Sequence, residues 1–166
     1  LRGLAAGTLA VEVLTEGVHS GDASGIVPSS FRIARALLDR LEDAASGRIL
    51  PAEFHAPIPD ERIEQARAAA DILGDIVFRK YPLAGRTAPM VHDRVEAMLN
   101  RTWRPALSVT GADGLPAIAS AGNVLRPRTA LKLSLRLPPT VPGETATVSL
   151  RGLLEGLGQK EEPGEA

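Results

Sequence analysis

A chain of 166 residues with 44% hydrophobic and 23% charged residues can bury a real core and form one domain. A net charge of -1, with Lys and Arg dispersed, argues against a nucleic-acid or anionic-membrane partner, and 3% aromatics is too few for base-stacking platforms. There is no cysteine, which excludes disulfides and thiolate metal sites and fits a reducing cytoplasm, the compartment expected; no run approaches the roughly 20 apolar residues of a bilayer span.

In chain order, residues 8–15, TLAVEVLT, alternate Leu9, Val11 and Val13 with Thr8, Ala10 and Glu12. Period-two alternation predicts a half-buried strand. The chain reaches it from Leu1-Arg2-Gly3 without an initiator Met, so it is expected to be a piece excised from a longer protein. A glycine-rich loop follows, G-V-H-S-G-D-A-S-G at 17–25. Gly17, Gly21 and Gly25 there are expected to supply φ > 0 positions. Residues 28–47 read as a helix, with Phe31, Ala34, Leu38 and Leu41 at helical spacing and Leu37 widening the stripe. Pro28 and two serines suit its start, and Gly47 its end.

Residues 48–104 change character and read as a helical insertion carried by the main domain. ILPAEFHAPIPD is rich in proline. A second helix is predicted from Asp60, as N-cap, through D-E-R-I-E-Q-A-R-A-A-A-D-I-L-G-D. A third covers about Pro89 to Arg101, with Val91, Val95, Met98 and Leu99 inward.

Strands return at 105, where P-A-L-S-V-T-G sets Leu107 and Val109 on one face. The clearest strand is R-T-A-L-K-L-S-L-R-L-P-P. Leu131, Leu133, Leu135 and Leu137 form one side; Ala130, Lys132, Ser134 and Arg136 form the other. One packed and one open face is what an antiparallel sheet allows. A last helix spans about Gly143 to Leu157, with Val148, Leu150, Leu153, Leu154 and Leu157 apolar. The order β-α-(insertion)-β-β-α predicts an α+β, ferredoxin-like sandwich: an antiparallel sheet with helices on one face. The polar tail QKEEPGEA ends without the closing strand of β-α-β-β-α-β, so that strand was cut away or the sheet has three strands.

Motifs for self-contained chemistry are missing. The three histidines, His19, His55 and His92, are far apart and form no H-E-x-x-H or H-x-x-E-H pattern, so no metal site is expected in this chain. His55 and His92 read as surface residues of the insertion. His92 and Asp93, adjacent on the third predicted helix, diverge by about 100°. No G-x-S-x-G or G-K-[ST] occurs, and Ser20 cannot form a dyad with its extended-chain neighbour His19. On residue type alone, His19 and Asn123 read as turn residues and Arg136 as a charge snorkelling from the open sheet face.

Three blocks, in order, carry a resemblance: G-V-H-S-G-D-A-S-G-I-V-P-S-S-F-R, W-R-P-A-L-S-V-T-G-A-D-G and A-G-N-V-L-R-P-R-T-A-L-K-L-S-L-R-L-P-P. They resemble the lid or dimerisation domain of the di-zinc aminoacylase and carboxypeptidase family, which includes acetylornithine deacetylase, succinyl-diaminopimelate desuccinylase, carboxypeptidase G and carnosinase-type dipeptidases. The resemblance runs across essentially the whole chain, and the long insertion looks most like the dipeptidase branch. It implies a ferredoxin-like domain inserted into a zinc-binding catalytic domain, mediating homodimerisation. It implies that His19 reaches the partner subunit's active site and stabilises the oxyanion of a small peptide or N-acyl amino acid substrate. Asn123 and Arg136 resemble residues that bind the substrate end, including its carboxylate. Arg126 departs from the pattern, since many relatives run straight from the position of Leu125 into proline. The two zinc ions and the glutamate base would lie in the absent catalytic domain, leaving this chain alone inactive.

The alternative is a free-standing ferredoxin-like interaction or regulatory ligand-binding module. A nucleic-acid-binding version would need aromatics on the open sheet face, and the best strand offers none.

Overall fold

The computed structural model describes residues 2–156. Strand β1 (Gly3–Glu12) pairs antiparallel with β5 (Arg128–Leu137), from Gly3 opposite Leu137 to Glu12 opposite Arg128. Strand β3 (Ala106–Asp113) takes the other side of β5, with a bulge between Val109 and Gly111. The sheet order is β1-β5-β3. The cleanest alternation in the sequence therefore lies at the centre.

Leu131, Leu133, Leu135 and Leu137 are all buried, at 6% exposure or less. Helices α2 (Ser30–Leu38) and α6 (Gly143–Glu155) cover them, adding Ala34, Ala146 and Leu150 to a core that also holds Ala5, Leu9 and Leu41. Fully burying one such leucine contributes about 1.5–3 kcal/mol, so this one strand supplies much of the stabilisation. On the opposite face Lys132 and Arg136 are exposed, Ser134 is half-buried and Ala130 is buried. The α+β class, antiparallel pairing and one-sided helices match the sequence prediction; the predicted position of Leu157 lies outside the described residues.

Several details differ, each for a local reason. Strand β1 starts at Gly3 and stops at Glu12; beyond it the Val13 N–H donates to Pro127 O at 2.8 Å, outside the main ladder. Helix α2 ends at Leu38, well short of Gly47. Residues 39–50 fold back so that the Leu50 N–H donates to Leu41 O, and Gly47, at φ +69°, closes a turn onto Asp43 O. Ser29 caps α2 by accepting from the Arg32 N–H, which puts Ser30 inward and Phe31 outward under Arg35. Val148 of α6 also faces out, at 73% exposure, because Ala146 and Leu150 take the buried positions.

In the insertion, α3 (Asp60–Leu73) has Pro59 at its N-cap position without a side-chain cap, leaving Asp60 in the first turn, where a carboxylate suits the helix dipole. A short helix α4 (Ile76–Arg79) was not predicted. Helix α5 (Arg94–Thr102) starts later than expected, because Asp93 caps it by accepting from the Glu96 N–H. His92 and Asp93 therefore precede the helix. Helices α3 and α5 pack together, and Leu99 of α5 is buried as predicted. The first residues of the segment behave differently: Ile49 and Phe54 are fully buried in the sheet–helix core.

Candidate functional site

The loop with His19 lies past the Glu12–Arg128 end of the main sheet and belongs to a separate two-stranded sheet. A two-residue strand β2 (Val18–His19) pairs antiparallel with β4 (Val124–Leu125), placing His19 opposite Val124. The Ser20 N–H then donates to Asn123 O at 2.9 Å. His19 and Asn123, 104 positions apart in sequence, thus occupy one exposed tip.

His19 also caps the single helical turn α1 (Ser20–Ala23), with its Nδ1 accepting from the Gly21 N–H at 3.1 Å. A ring nitrogen that accepts carries no proton, so the neutral imidazole is protonated on Nε2. Among the described residues that Nε2–H has no hydrogen-bond partner. The exposed ring is held at Nδ1, with Nε2 left free to donate.

The two nearest glycines are needed for space rather than for positive φ. A Cβ on Gly21 would stand 2.7 Å from His19 Cε1, and one on Gly17 would stand 2.7 Å from Val124 Cγ1. Only Gly25 in this loop has positive φ, +91°. The H-x-G spacing marks a steric role for Gly21 and not the positive φ expected from a glycine-rich loop.

Arg136 is elsewhere. It sits eight residues along β5 from Arg128, about 27 Å at roughly 3.4 Å per residue. It is exposed on the open face, opposite Leu4 and Ala106. The fold therefore brings His19 and Asn123 together and holds Arg136 at the opposite end of the sheet. His55 Nε2 lies 2.7 Å from Ile49 O, and His92 is exposed before α5. Among the described residues no three His, Asp or Glu side chains cluster so as to hold a metal ion.

Solved structures share this fold. The chain superposes on part of human carnosine dipeptidase 1 with a TM-score of 0.72 at 24% identity, covering 93% of this chain and 33% of that one. It matches the dipeptidase Dug1p of Saccharomyces cerevisiae with a TM-score of 0.71 at 21% identity, over 93% and 32% of the two chains. It matches the M20 family metallo-carboxypeptidase Sso-CP2 of Sulfolobus solfataricus with a TM-score of 0.70 at 16% identity, over 94% and 40%. The chain thus spans about a third of the length of these peptidases. No family model and no curated protein matches the sequence itself. The chain therefore shares its fold with one portion of these larger peptidases.

Proposed function

We propose that this chain is the lid and dimerisation domain of a di-zinc dipeptidase or N-acyl amino acid deacylase, in which His19 completes the active site of a partner subunit. The observation that carries the reading is the hydrogen bond from the Gly21 N–H to His19 Nδ1. The Gly21 N–H occupies Nδ1, which leaves Nε2–H to donate to the oxygen where negative charge develops as the substrate carbonyl is attacked. A positioned donor of this kind acts mainly in the transition state and is most effective where water is excluded. Asn123, on the same tip, supplies a side-chain amide to the same substrate.

The separation of Arg136 supports action across a dimer. Arg136 lies about 27 Å along β5 from Arg128, the end next to the His19 tip, too far for one dipeptide to touch both groups of one subunit. If both contact one substrate, they come from different subunits, with Arg136 binding the carboxylate through its planar fork. Two zinc ions, in a domain outside these 166 residues, would supply Lewis acidity and activate a water; no residue of this chain is assigned to them.

The test is His19→Ala in the full-length parent. Turnover is expected to fall about 10²–10³-fold with the dimer intact. Mixing it with a variant inactivated in the catalytic domain should restore activity in hybrid dimers. Turnover within a few-fold of wild type, or no complementation in verified hybrids, would refute the trans-acting role.

A further inference from the structure

At the end of the sheet far from His19, Arg2 links two further arginines: it shares the open face with Arg136 and a cavity with Arg101. Arg136 stands opposite Leu4 of β1 and Ala106 of β3. Arg2, two residues before Leu4, is its diagonal neighbour on the same face, within reach for long side chains. Arg101 of α5 and Arg2 both line a cavity of about 360 Å³ whose apolar wall includes Phe78, Tyr81 and Met90.

The three differ in how far they are already committed. Arg2 Nη1 donates to Asn100 O and Arg104 O, each at 3.0 Å, near the end of α5. Burial, then the charge of Arg136, lowers the pKa of Arg2; Tyr81 opposes this and Arg101 adds to it. Arg104 beside them is neutralised by Glu96 at 2.6 Å. Among the described residues no carboxylate pairs with Arg2, Arg101 or Arg136. Like charges gathered without a counter-charge repel, and an anion relieves that repulsion.

Arg2 has part of its guanidinium tied to carbonyls, whereas among the described residues the side chains of Arg101 and Arg136 have no hydrogen-bond partner, so each fork is available. One fork pairs bidentately with one carboxylate. We propose that Arg101 and Arg136, braced by Arg2, form a binding site for a small dicarboxylate, with its second carboxylate on Arg101 at the rim of the apolar cavity. The proposal rests on Arg136 being a substrate-binding group and names the substrate class: a peptide or N-acyl amino acid ending in an acidic residue.

Succinate is the probe, with acetate as the single-carboxylate control, titrated into the chain at low ionic strength and followed by amide NMR. Succinate should give saturable shifts at Leu4, Arg101, Ala106 and Arg136, bind about tenfold more tightly than acetate, and weaken with added salt. Arg101→Gln should reduce succinate to the affinity of acetate, and Arg101→Lys, which keeps the charge and loses the fork, should fall between. Unchanged shifts at Leu133 and Leu135 would show that each variant is folded. Equal affinities for the two anions, or succinate binding unaffected in Arg101→Gln, would overturn the proposal. The titration involves neither His19 nor a metal. It can therefore fail while His19→Ala still abolishes turnover in the parent, and it can succeed if His19 proves dispensable.

Discussion

The Ser20 backbone N–H donates to the carbonyl oxygen of Asn123 at 2.9 Å, so the two loops of the His19 tip are one mechanical unit. Within that unit Gly21 sets the imidazole, because its N–H caps Nδ1 and its missing Cβ leaves room for the ring. Gly21→Ala should push the ring aside and free the tautomer. In the parent enzyme turnover should drop about tenfold or more, less than the roughly 10²–10³-fold of deleting the donor. The stability of the chain should stay within about 0.5 kcal/mol, as for other exposed sites. Ring nitrogen chemical shifts check the cause: an unchanged Nε2–H signature in the variant would mean that Gly21 does not hold the histidine.

Ser30 and Thr129 form a buried polar pair, 2% and 0% exposed, with their hydroxyl oxygens 2.9 Å apart. Ser30 Oγ also lies 3.3 Å from Arg126 O. Ser30→Ala leaves the buried Thr129 hydroxyl without this partner and should cost about 1–3 kcal/mol. Thr129→Val should cost less, since Ser30 keeps Arg126. The double variant should cost less than the sum of the singles, because both polar groups are then gone. Urea unfolding of the four proteins measures the coupling, and strict additivity would show that the pair does not act as one.

The fold was most legible where one physical pattern acted alone. The leucines of β5 could be assigned to a face because strand period and burial coincide there. Phe31 and Val148 face outward although their apolar type points inward, because caps and small residues such as Ser30 and Ala146 set the buried stripe. The ends of α2 and α5 were hidden for a similar reason: local side-chain and turn hydrogen bonds decide them. Of the candidate site, the identities of His19, Asn123 and Arg136 came from motif resemblance. Their division between two ends of the sheet depends on long-range pairing that no local pattern encodes. Arg2 meets Arg136 only through the pairing of β1 with β5 from Gly3, and Arg101 meets Arg2 only through the placement of α5.

Glu42 should make the chain respond to pH against the usual trend. Burial, then the charge of Asp39, raises its pKa in the folded state. The folded protein therefore holds that proton more tightly than the unfolded chain. The ionised form costs stability above the folded pKa, and the cost disappears as pH falls below the unfolded value. Asp75 has the opposite sign: its hydrogen bond to Arg94 and that arginine's charge lower its pKa, so its contribution is lost in acid. Glu42→Gln should stabilise the chain at about pH 7 and have little effect near about pH 3.5. Urea midpoints at both pH values decide it, and a benefit that persists in acid would assign the effect to packing instead of charge.

Phe54 tests where the insertion begins mechanically. It closes a short 3₁₀ turn, Ala52–Phe54, that contacts α6, and its ring is 0% exposed among Leu41, Ile49 and the β5 leucines. Ile72 of α3, by contrast, is 84% exposed. Phe54→Ala should therefore cost about 3–5 kcal/mol, a large share of the roughly 5–15 kcal/mol typical of a domain, while Ile72→Ser should change stability by about 0.5 kcal/mol or less. Because Phe54 lies against α6, amide exchange should accelerate through α6 and β5 together in Phe54→Ala. Faster exchange confined to α3–α5 would place Phe54 with the insertion and outside the sheet core.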